Sequence, residues 1–212
     1  MDWSIWEPRF AAFLDKQMIT ADSAHDRAHI LRVVTTAKQI ATAEGAQLAI
    51  VIPAAWLHDC VIIPKDSPDR HLASVRAAET AVSFLSGVGY PPEHLPPIQH
   101  AIAAHSFSAG ITPRTLEAKV VQDADRLDAL GAIGIARCFV TGANLSLPLY
   151  HMDEPFPATR PPADRHYSLD HFYVKLLRLA ETMQTAVGRA ESQRRTRFME
   201  IYLQQLRTEI EA

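Results

Sequence analysis

Cysteine is scarce in this chain: Cys60 and Cys138 are its only two, far apart and in no CxxC pair. A cysteine zinc site is therefore a poor expectation, and the reduced cytoplasm is the simplest compartment. Long apolar runs are also missing, since none reaches the roughly 18 residues of a membrane span. The opening Met1-Asp-Trp-Ser-Ile-Trp-Glu7 lacks the basic-then-apolar order of a signal peptide. Nor is there an excess of one charge. A net charge of −3 gives no bulk attraction to nucleic acid or anionic membranes, though it leaves room for a local basic pocket. No alternating apolar-polar pattern argues for strands, and no segment repeats.

What is present is helical periodicity and enough apolar sequence for one core. The chain has 212 residues, 48% of them hydrophobic, which favours one domain or one domain with a small appendage. The periodicity predicts a first helix carrying Trp6, Phe10, Phe13 and Leu14. A second is predicted over 26–44, with Ile30, Val33, Val34, Ala37, Ile40 and Ala41 on one face, and a third over 47–59. Further helices are expected over 71–87 and 93–106, and over 115–139 with a break near Gly131 and Gly134. Residues 141–168 hold five prolines and read as a long loop, of the kind that often forms a lid or site wall. Residues 169–210 read as two helices meeting near Gly188. The fold class is all-α.

The chemistry is concentrated in histidines, seven of ten lying between residues 25 and 105. His58-Asp59 follows the apolar run Pro53-Ala-Ala-Trp-Leu57. Neighbouring helical residues point about 100° apart, so both reach one ion only near a helix end. Pro64 predicts such an end. His29 lies upstream in His25-Asp-Arg-Ala-His29, where His25 either shares its face or, like Asp26, caps the helix. Downstream, Asp123, Asp125 and Asp128 crowd one helix, and Asp123 and Asp125 cannot both face one ion. Two imidazoles and two carboxylates make a set that holds a divalent metal. Each has a plainer alternative, as a satisfied core histidine or a solvated acid.

The set His29, His58-Asp59 and Asp125 resembles the H…HD…D pattern of the HD-domain metal-dependent phosphohydrolase superfamily. The context His29-Ile-Leu-Arg-Val33 is similar to that family's first-ligand helix, and Ala124-Asp-Arg-Leu127 to its last, which favours Asp125 over Asp123. The resemblance covers about residues 23–140. Trp56-Leu-His-Asp-Cys60, Pro64-Lys-Asp-Ser-Pro68, Ala104-His-Ser-Phe107 and Val121-Gln-Asp-Ala-Asp-Arg-Leu-Asp-Ala-Leu-Gly131 are similar to the bacterial YedJ-like and YpgQ-like subgroup. It implies an HD-type helical bundle with additional C-terminal helices over 169–212 packing on the core. It also implies a metal-dependent phosphohydrolase or nucleotide pyrophosphohydrolase, most simply with manganese; iron, cobalt, nickel, zinc and magnesium are alternatives. Gly89-Tyr90-Pro91 spells the tripeptide of the HD-GYP cyclic-dinucleotide phosphodiesterases. The His-His-Glu cluster and the Gly-Lys after the dyad that accompany it there are absent, so it reads as a turn.

Phosphoryl transfer needs charge neutralisation and positioning. Lys65 and Arg70 follow the dyad and suit phosphate; Asp66 suits a general base, and His105 a phosphate contact or proton donor. His100, Arg126 and Lys175 are weaker candidates for binding substrate. Tyr150, Phe156 and Tyr173 are aromatics that could stack on a base, and Tyr150, His151 and Asp153 could line a wall. The leading expectation is hydrolysis of a nucleoside or deoxynucleoside triphosphate. The alternatives are a phosphatase for nucleoside monophosphates or other small esters, or a non-catalytic sensor. A small phosphorylated molecule is the expected partner, nucleic acid and membrane are not, and both monomer and homodimer fit the C-terminal apolar positions.

Overall fold

A computed structural model of the chain describes residues 1–17, 27–63 and 67–211, with Arg70 as backbone alone. The described residues form nine α-helices and three short 3-10 helices, and no strand among them. The chain divides into two compact units, Met1–Asp125 and Arg126–Ala212. No helix among the described residues is long and apolar enough to cross a membrane.

In the first unit, α3 (Leu48–Leu57) is the central element, and every residue from Ile50 to Leu57 is buried. A helix apolar on all sides must be surrounded. It packs against α1 (Trp3–Gln17), α2 (Arg27–Glu44) and α5 (Leu95–His105), with α4 (Ala73–Gly87) laid along α5. The α2 stripe predicted from sequence, Ile30 to Ala41, is buried together with His29. Glu7 ties three helices together: its Oε2 accepts from Trp56 Nε1 at 3.1 Å and its Oε1 from Lys38 Nζ at 2.6 Å.

Gly89 has φ +75 and opens the turn after α4. Tyr90 is buried, edge-on to Trp6 at 4.8 Å, and its hydroxyl donates to Ala49 O at 2.7 Å. The Gly-Tyr-Pro letters thus serve packing.

The long helical pattern expected over 115–139 is two helices. These are α6 (Leu116–Leu127) and α7 (Gly131–Asn144). The break falls ahead of Gly131, whose φ of +70 no other residue adopts easily. In the second unit, a long segment follows α7 up to α8 (Asp170–Val174). Its own side chains organise it. Glu154 gathers the N–H groups of Ala158, Thr159 and Arg160 and the Thr159 hydroxyl. Arg160 reaches Asp170 at 2.7 Å through Nη2.

A 3-10 helix, Leu176–Thr182, leads to α9 (Ala186–Ile210). The break expected near Gly188 lies a few residues earlier. Thr185 is the N-cap, and its hydroxyl accepts from Gly188 N at 2.9 Å. Gly188 is therefore the capped first turn of α9 and does not end a helix.

Candidate metal centre

α3 stops at Leu57, and His58 is its C-cap. Asp59 lies past the helix, so the 100° offset that separates neighbours on a helix no longer applies to the pair. Cys60 pins the exit, donating from N to Leu57 O at 3.2 Å and from Sγ to Ala77 O at 3.4 Å.

At this exit four residues from three segments meet, all within the first unit. His29 Nε2 and His58 Nε2 are 3.3 Å apart. Asp125 Oδ1 lies 3.4 Å from the first and 3.8 Å from the second. Asp59 Oδ2 lies 3.8 Å and 3.6 Å from the same two nitrogens. His105, at the end of α5, faces the other side of Asp59, with Nε2 at 3.5 Å from Oδ1. Both imidazoles of the pair are buried, while Asp59 and Asp125 keep side-chain exposures of 21% and 27%. The cluster is therefore reachable on its carboxylate side.

The hydrogen bonds fix the protons. His58 Nδ1 faces the carbonyl of Ala55 at 2.8 Å and must donate to it. In the neutral ring, Nε2 then carries a lone pair. Burial is the main cause lowering the His58 pKa, against the pull of Asp59. Asp59 is pushed up by burial, but His58 and the hydrogen bond from His105 outweigh this and hold it well below the ordinary carboxylate range. Asp125 is likewise raised by burial and, on balance, lowered by the histidines. His105 behaves oppositely. Burial lowers its pKa, but the bond to Asp59 and that carboxylate's charge outweigh this, and the net shift is upward.

These residues fit a divalent ion. The ligand atoms of His29, His58 and Asp125 lie within 4.8 Å of one another, as do those of His58, Asp59 and His105. A buried lone pair facing a second imidazole and two ionised carboxylates is a donor set that a cation satisfies.

The other predicted residues are placed differently. Lys65 and Asp66 lie outside the described residues, as do His25 and Asp26; Arg70 belongs to the 3-10 helix Pro68–Leu72. His100 Nε2 accepts the backbone N–H of Arg114 at 3.0 Å, which engages it in holding the approach to α6. Burial and then the Arg114 charge lower its pKa, in keeping with an acceptor. Arg126 Nη1 donates to Thr182 O at 2.8 Å, and Lys175 is exposed at the end of α8. Asp123 is wholly buried on the helix that carries Asp125.

Sequence reasoning passed over Ser74 and Gln122, both buried and both bonded to the end of α5. The one available signal was spacing: Gln122 stands three residues before Asp125, so the two share a helix face.

The HD domain family matches residues 27–130, a span that takes in every residue of the cluster. YpgQ of Bacillus subtilis (strain 168), an uncharacterized protein, is 36% identical over 89% of this chain and 85% of its own length. A crystal structure of an HD-superfamily hydrolase from Bacillus thuringiensis superposes with a TM-score of 0.75 at 32% identity, covering 97% of this chain and 96% of that one. The crystal structure of Bacillus subtilis YpgQ in complex with ADP superposes with a TM-score of 0.72 at 34% identity, covering 96% and 97% of the two chains. With the helical fold, the cluster and these relatives together, the chain belongs to the HD-domain superfamily of metal-dependent phosphohydrolases, in its YpgQ-like subgroup.

Proposed function

We propose that this hydrolase acts on nucleotides, cleaving a nucleoside or deoxynucleoside triphosphate to release pyrophosphate. In this reading His29, His58, Asp59 and Asp125 hold the metal ion, most simply manganese. The observation that carries the metal assignment is the 3.3 Å approach of His29 Nε2 to His58 Nε2, with an oxygen of Asp125 at 3.4 Å from the first. The nucleotide assignment is supported by the ADP complex of YpgQ, 34% identical to this chain.

A bound divalent ion supplies a water of lowered pKa and polarises a phosphoryl oxygen. The chain's own residues do the positioning. Ala55 O fixes the His58 ring through Nδ1, so that Nε2 points at the cluster. Asp59 divides its two oxygens, Oδ2 toward the imidazoles and Oδ1 toward His105. His105 holds a proton at Nε2 beside Asp59 and keeps that carboxylate turned. Lys65 and Arg70 neutralise phosphate charge, and Asp66 takes the proton of the attacking water.

The test is release of phosphate and pyrophosphate from a nucleotide panel with added manganese, wild type beside His58→Ala. Pyrophosphate from triphosphates, lost in the variant, is expected. Phosphate alone would assign the site to monoester hydrolysis. No release while manganese still binds would overturn the nucleotide reading.

A further inference from the structure

The last four carbonyls of an α-helix have no partner within the helix. At the end of α5, three successive ones are taken by side chains. Ile102 O accepts from His105 Nδ1 at 2.6 Å, Ala103 O from Ser74 Oγ at 3.0 Å, and Ala104 O from Gln122 Nε2 at 2.7 Å. Ser74 belongs to α4 and Gln122 to α6. After His105 the chain turns extended at Ser106, with φ −73 and ψ 132.

The three bonds form one device. The His105 ring is anchored through Nδ1 to the helix end that Ser74 and Gln122 also hold. Its other nitrogen, Nε2, meets Asp59 Oδ1 at 3.5 Å. Gln122 has a second link to the centre, because Asp125 follows it by one turn on the same helix. All three capping side chains are at least 95% buried, so water does not compete for the carbonyls. The cost is Gln122 Oε1, buried with no hydrogen-bond partner among the described residues. A methionine of similar volume would fill the space without it and without the donor.

We propose that Gln122 and Ser74 are positioning residues of the metal centre, setting His105, and through it Asp59, by capping the end of α5. The proposal rests on the site assignment above but not on the substrate.

The test reads ring geometry directly. In metal-free protein labelled with 15N-histidine, the Nδ1–H protons of His58 and His105 are both bonded to buried carbonyls and exchange slowly with solvent. His105→Gln identifies the His105 signal. In Gln122→Met the His105 proton is expected to exchange at least about tenfold faster while that of His58, bonded to Ala55 O, is unchanged. Ser74→Ala gives a second, independent variant should the first fold poorly. A global loss of structure would speed both protons alike; that result in both variants, or no change in either proton of a folded variant, overturns the proposal. In the manganese-loaded enzyme Gln122→Met is expected to lower kcat about tenfold with KM unchanged. A failure of the nucleotide reading would leave the exchange result standing.

Discussion

His29 Nε2 and His58 Nε2 approach to 3.3 Å, although 29 residues separate them in the chain. Because His58 Nδ1 already donates to Ala55 O, the facing nitrogen of His58 is an acceptor. A cation between the rings would engage both nitrogens together with the carboxylates. Manganese is therefore expected to stabilise the folded chain, by about 2.7 kcal/mol at a hundredfold excess over Kd. A thermal melt with and without the ion checks this. His29→Ala should melt at the same temperature in both; a shift retained in full would remove His29 from the ligand set.

Asp125 and Asp123 separate in the same assay. Asp125 faces the imidazoles, whereas Asp123 is wholly buried on the same helix. Asp125→Asn is expected to abolish the manganese shift. Asp123→Asn should lower the melting temperature, by the equivalent of about 1–3 kcal/mol, and keep the shift. The reverse pattern would exchange their roles.

Asp170 makes the second unit acid-sensitive. It is fully buried, paired through both oxygens with Arg160, and accepts Ala163 N at 2.6 Å. Burial raises its pKa, but Arg160 and the backbone donor more than offset this, and the net shift is downward. A lowered native pKa means stability that is complete above the unfolded value of about 3.9 and is lost as pH falls through the native one. Asp170→Asn should remove that part of the pH dependence below about pH 4 and cost about 3–5 kcal/mol at neutral pH. Urea melts of both proteins across pH 2 to pH 7 are the measurement; parallel curves would show that Asp170 is not the group responsible.

Gly134 is set by space rather than by backbone angle. A Cβ there would collide with the carbonyl of Ala129. Backbone has to move to admit it, so Gly134→Ala is expected to cost about 3 kcal/mol or more. Gly87→Ala is the control, since nothing lies within 4 Å of its added Cβ. Equal melting temperatures for the two variants would refute the steric account.

The helices were legible because their apolar stripes repeat at the helical period, as Ile30 to Ala41 do on α2. Their ends were less so. The start of α9 depends on the Thr185 hydroxyl reaching Gly188 N, and although threonine is a preferred cap, Thr182 close by offers the same signal. The cluster was legible because the HD pair is adjacent and His29 and Asp125 stand in recognisable surroundings. How Asp59 escapes the 100° rule was not, for it depends on α3 ending at Leu57. His100 shows a further limit: its partner is the Arg114 N–H, and backbone groups leave no trace in composition. The caps on α5 join residues 29 and 18 positions apart, contacts that only the packed helices create.

The Gly89-Tyr90-Pro91 turn carries a lesson for classifying such chains. Its tyrosine hands its hydroxyl to Ala49 O and its ring to Trp6. Sorting by spelling would send this chain to the cyclic-dinucleotide enzymes, whereas sorting by what each side chain touches makes the tripeptide a bolt in the bundle. A signature is a set of bonds before it is a string of letters.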